Sequence, residues 1–160
     1  MPEMILLGWI HTLIAIVALF AGFYSLAVHK LITTDTTTGR VYLICTLLAA
    51  VTALMIYQHG AFGPAHALAV LTLLALAAGM LVKKIPALAG IADYFQAFCF
   101  SATLLFHMIP AITDGLLRLP LGDPFLSNPE DPILRGFYLL FVGIFALGSV
   151  LQFRWIRRHK

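Results

Sequence analysis

Charged residues are scarce in this sequence. Asp, Glu, Lys and Arg together make up 11% of the 160 residues, where a soluble domain carries about 25%. A chain with so little charge cannot present a polar surface to water on every side. Cysteine is nearly absent too: only Cys45 and Cys99 occur, each inside an apolar run. With no CxxC pair there is no disulfide framework, and both thiols are expected to serve as small packing residues. The ten basic residues outnumber the seven acidic ones for a net charge of +3, but they form no single patch. A nucleic-acid partner is therefore excluded. No GxSxG, HExxH or Walker sequence is present, and no Gly-rich strand-to-helix turn, so no enzyme class is assigned.

Apolar sequence is abundant. Hydrophobic residues reach 61%, and the mean hydropathy is +0.97. Five segments are long enough, or nearly so, to cross ~30 Å of hydrocarbon at about 1.5 Å per residue. They run over residues 4–28, 41–58, 64–82, 91–117 and 136–153, and they make a single membrane domain spanning 1–160. Met1–Met4 carries Glu3 and no basic residue, and the following run is longer than a signal-peptide core, so a retained first span is expected. The expected fold is all-α, a polytopic bundle of five transmembrane helices.

The basic residues set the expected orientation. One side of a five-span bundle collects Lys30, Arg40, Lys83, Lys84, Arg154, Arg157, Arg158 and Lys160, and the other holds only Arg118 and Arg135. Basic residues favour the cytoplasmic side. The bias places the N-terminus outside and the C-terminus inside, in a bacterial inner membrane.

Ionisable groups at membrane depth are costly and mark function by default. His159 falls in the basic tail, and His29 ends the first span beside Lys30, where a headgroup contact suffices. The remaining four gather in the outer leaflet. His11 lies roughly 7 Å outward of the first span's midpoint, His107 sits at a similar depth on the fourth, and His66 opens the third roughly 10 Å outward. His59 ends the second span at the same interface.

Helical phase supports this grouping. On the first span Gly8, His11, Ala15, Ala18, Gly22, Ser25 and His29 recur every three or four residues, a seam of small or polar groups of the kind that lets helices approach closely in lipid. The second span shows Tyr42, Cys45, Ala49, Thr52 and His59 on similar spacing. The fourth carries Asp93, Gln96, Thr103, His107 and Asp114, the last two sharing a face. Pro110 falls beside His107 and removes the helical partner of the Phe106 carbonyl. The fifth span has no ionisable residue between Gly136 and Phe153 and is expected at the periphery. The loop LGDPFLSNPEDP reads as a proline-stiffened connector, with a lid over the histidines as the alternative.

Several chemistries fit neutral imidazoles on separate helices. A redox or metal-binding membrane protein is the leading expectation, with haem b favoured over copper or zinc: it would take two axial ligands, with His11 and His107 the best pair by depth and His66 the substitute. Copper or zinc would draw on His11, His59, His66, His107 and Asp114. Without a cofactor, His107 and Asp114 would serve a proton-coupled carrier or a quinone site. The remaining reading is an accessory or scaffold protein with no cofactor. Its partners would be the bilayer, a redox protein, or a second copy docked through the Gly8/Ala15/Ala18/Gly22 seam.

Three stretches carry a family resemblance: GWIHTLIAIVALFAG, GRVYLICTLLAAVTAL and GAFGPAHALAVLTLLALAAG. With His11, the Gly39-Arg40-x-Tyr42 opening of the second span and the Gly63-Pro64-x-His66 turn, the chain resembles an uncharacterised family of small bacterial integral membrane proteins. The likeness covers roughly Gly8–Gly79, with a weaker echo to Pro120. TTDTTT stands where that family carries a His-Arg pair, and IADYFQ where it has a basic, His-containing segment. The resemblance implies a bacterial multi-helix membrane protein and no established activity.

Overall fold

The computed structural model describes residues 6–56 and 62–159. Five helices follow one another: α1 (Leu6–His29), α2 (Thr37–Leu54), α3 (Pro64–Leu81), α4 (Ala92–Arg118) and α5 (Pro132–His159). All five are long and apolar enough to cross a membrane. There is no strand among the described residues. The fold is that of a multi-pass membrane protein.

Helix boundaries follow local chemistry more closely than the hydropathy windows do. α2 begins at Thr37, four residues before the apolar run, because Thr36 caps it: its Oγ1 accepts the Gly39 amide at 3.1 Å. Such a cap contributes about 1 kcal/mol. The Thr-rich segment read as loop thus starts the helix. α3 starts at Pro64, whose fixed φ suits the first helical position. α5 starts at Pro132, where Asp131 Oδ1 accepts the Ile133 amide at 2.8 Å. It then stays helical through the arginines to His159. α4 runs unbroken through Pro110.

The helices form a compact ring with one outlier. α1 packs on α2, α2 on α3 and α3 on α4, and a lighter contact between α1 and α4 closes the ring. α5 flanks α4 alone among the main contacts, which is the peripheral place its sequence implies. Two short 3-10 turns, Val82–Lys84 and Pro86–Leu88, join α3 to α4. The core is small: Ala18, Tyr42, Leu43, Leu76, Phe100 and Leu104 pack together, with Ile32 from the α1–α2 connection. Outward-facing residues such as Phe20 (74% exposed) and Leu139 (75% exposed) are suited to lipid.

Close approach in the ring depends on two glycines. A Cβ on Gly22 of α1 would sit 2.8 Å from the Tyr42 ring, and one on Gly79 of α3 would sit 2.5 Å from the Phe100 ring. Both aromatic rings are fully buried. Ala18 and Gly22 are therefore engaged within one chain, so the seam expected to join two copies instead closes this bundle, at least over that stretch. Cys99 is buried against Gly79 and Cys45 is half-buried; both thiols are free.

Candidate functional site

The polar residues of α2 organise the interior. Thr38, Tyr42, Thr46 and Thr52 follow one face of the helix and cover ~21 Å of its length at 1.5 Å per residue. Each bonds to a neighbouring helix. Thr38 accepts from Ser25 of α1 at 3.0 Å. Tyr42 meets Thr103 of α4 at 2.6 Å. Thr46 bonds His107 of α4 at 3.2 Å, and Thr52 bonds His11 of α1 at 3.0 Å. In lipid, where no water satisfies a polar group, such pairs fix which helix lies beside which.

Proton positions follow from the donors each oxygen has already used. The Thr52 hydroxyl donates to the Leu48 carbonyl at 2.8 Å, so it accepts from His11 Nδ1–H. His11 therefore keeps a lone pair on Nε2. The Thr103 hydroxyl donates to the Phe100 carbonyl at 2.7 Å, so Tyr42 donates to Thr103. Thr46 Oγ1 lies 3.2 Å from His107 Nε2, where either group can donate. A directed series thus runs from Tyr42 through Thr103 to the Phe100 carbonyl, and one turn along α2 from Tyr42 the Thr46–His107 bond is a separate link to α4.

The two imidazoles are half-buried and lie within electrostatic reach of each other. Tyr42 also meets the His107 ring edge-on, with centroids 6.5 Å apart. Asp114 lies toward the same end of the bundle, where its carboxylate accepts from Arg118 Nε at 3.0 Å and is 61% exposed. It interacts electrostatically with His11, so its charge faces the mouth of the seam and is not buried in it.

The other expected ligands are placed differently. His66 is buried at the start of α3, where its Nδ1 accepts the Gly63 amide at 3.2 Å and its ring lies against Phe62. It caps a helix. His59 falls outside the described residues. No group of three or more His, Cys, Asp or Glu side chains is arranged to hold a metal ion among the described residues. The connector after α4 folds back on that helix, Leu126 N–H donating to the Leu116 carbonyl at 2.9 Å.

Thr46 is the residue that the sequence pattern misses. The spacing selects Cys45, one position away, yet Thr46 is fully buried and bonds His107. A signal for it exists in the i, i+4 series Thr38, Tyr42, Thr46.

No family model matches this chain, and no curated protein or solved structure matches it. The resemblance to a family of bacterial membrane proteins rests on the quoted stretches alone.

Proposed function

We propose that this protein is a proton-coupled protein of a bacterial inner membrane, N-terminus outside, in which His11 and His107 take up and release protons. The observation that carries the reading is the run of polar side chains His107, Thr46, Tyr42 and Thr103 between α2 and α4, with His11 within electrostatic reach of His107. Hydroxyls linked donor to acceptor can hand a proton along by each shifting its own, and imidazole is the side chain whose charge changes near neutral pH. Asp114 and Arg118 mark the exposed end from which protons enter. At the other end, the run stops at the fully buried Tyr42 and Phe100, and the next polar pair, Ser25 with Thr38, lies one turn further along α2. The apolar packing between them sets the point where movement must be coupled to a rearrangement.

The test is proton flux into vesicles that enclose a pH-sensitive dye, driven by an imposed potential. The wild type is expected to raise flux above empty vesicles. His107→Gln and Thr46→Val are expected to reduce it at least tenfold, with His11→Gln between them and the wild type. Equal flux in all four would overturn the reading.

A second reading is supported by the His11 lone pair. Metal-bound histidines usually donate their other ring N–H to a fixed acceptor, and His11 does so through Thr52. Haem b, copper or zinc would then be held by His11 Nε2 and a ring nitrogen of His107. A reduced-minus-oxidised visible spectrum with metal analysis separates the two: sharp haem bands or stoichiometric metal, lost in His11→Ala and His107→Ala, would establish the bound cofactor.

A further inference from the structure

We infer that the end of the bundle opposite His11 and His107 holds an anionic phospholipid, its phosphate against Arg154, Arg157 and Arg158 and one acyl chain in the groove between α4 and α5. This site is independent of the proton reading and shares no residue with it.

The arginines stand at i, i+3 and i+4, so they share one face of α5. All three are exposed, while Gln152 and Ile156 are buried on the side toward α4. α5 has 28 residues, about 42 Å of helix at 1.5 Å per residue, and ~30 Å crosses the hydrocarbon. Its last turns reach headgroup depth. Trp155, stacked on His159 with centroids 4.3 Å apart, sits where tryptophan favours the interface.

Among the described residues, no carboxylate lies within ion-pair distance of these three guanidinium groups, and the nearby Asp93 pairs with Lys83 at 3.2 Å. Lys84 adds a further exposed charge at this end. Guanidinium binds phosphate through paired hydrogen bonds, and basic clusters at the inner face attract anionic lipid.

The groove supplies the second, separate observation. Ile91, Tyr94, Phe95 and Phe98 of α4 and its approach, with Phe153 of α5, line a recess of about 200 Å³. Phe153 lies one turn before Arg157, on the same face of α5, and meets Tyr94 edge-on at 5.5 Å. Walls of this kind suit a hydrocarbon chain, and the neighbouring cations suit a phosphate. Both halves of a phospholipid are matched at one place, and the excess positive charge selects a headgroup with net negative charge.

The test uses the full chain, delipidated in mild detergent, with thermal unfolding read against added dioleoyl phosphatidylglycerol, dioleoyl phosphatidylcholine or inorganic phosphate. Phosphatidylglycerol in hundredfold excess over its Kd is expected to raise Tm by roughly 5 °C or more, and phosphatidylcholine by clearly less. Phosphate alone is expected to give no shift. Arg154→Gln/Arg157→Gln, which keeps Arg158, Lys84, Lys30 and Arg40, is expected to lose the difference between the two lipids. Native mass spectrometry of the wild type, which depends on no substitution, is expected to retain one phosphatidylglycerol per chain. Equal shifts by the two lipids, unaltered selectivity in the double variant, or a shift reproduced by phosphate would each overturn the proposal.

Discussion

Helices α2 and α5 are both apolar enough to span a bilayer, yet they occupy it in opposite ways. Within the spanning window, 33% of α2 is buried inside the protein against 11% of α5. α2 sends a hydroxyl to a neighbour at four levels, reaching α1 and α4 in turn. α5 is tied to α4 at two polar points, Gln152 accepting from Ser101 at 3.0 Å and Tyr138 meeting Thr113 at 2.7 Å. Aromatic pairs such as Phe98 with Phe145 add to these. The glycines follow the same division. Gly22 and Gly79 face buried aromatic rings, whereas a Cβ on Gly136, Gly143 or Gly148 of α5 would meet nothing within 4 Å. Burial against other helices, not hydropathy, separates a structural helix from one that mainly faces lipid.

Substitutions can break this contrast, and the greatest damage is expected at the tight glycines. Gly22→Leu drives a branched side chain into the Tyr42 ring and Leu104, and overpacking of this kind costs about 3 kcal/mol, the upper end of its usual range. Thermal unfolding in detergent should show a lowered Tm or loss of the monodisperse protein. Tyr42→Phe keeps the ring but removes its hydroxyl from Thr103. The expected cost is about 1 kcal/mol, near the upper end for hydrogen bonds between membrane helices, and it is read in the same unfolding experiment.

Much of the architecture is legible in the sequence because hydropathy and span length report it directly. The grouping of His11 with His107 is legible too, since depth follows from counting residues along a span. Their partners are not. Thr46 and Cys45 differ by one position, and a helical stripe drawn at three- or four-residue spacing fits either; only packing against α4 decides that Thr46 points inward. His66 shares a depth with the other histidines, but its helix-capping bond to Gly63 is a local backbone event that depth does not encode. Ala18 and Gly22 look identical as a contact between copies and as a contact within one chain, because both demand small residues. The start of α2 moves for a different reason: the Thr36 cap outweighs the low apolarity of TTDTTT.

Smaller effects sharpen the comparison on the α5 side. Gln152→Leu removes one bond to Ser101 and leaves the rest of the helix untouched, so a loss of ~0.6 kcal/mol is expected. Gly143→Ala should be neutral or stabilising, because a methyl group there meets open space and alanine favours helix by up to about 1 kcal/mol. A cost at Gly143 as large as that at Gly22 would show that α5 packs against something as closely as α1 packs on α2.

The central claim is that His11 and His107 act as one protonating pair joined to α2. Solid-state ¹⁵N NMR of histidine-labelled protein in bilayers, titrated from about pH 8 down into the acid range, tests it most directly. The account predicts a neutral His11 tautomer protonated at Nδ1 and signals of His11 and His107 that shift together with pH, with the His107 signal altered in Thr46→Val. Signals from the two residues that stay fixed across that range, or that titrate without influence on each other, would contradict it.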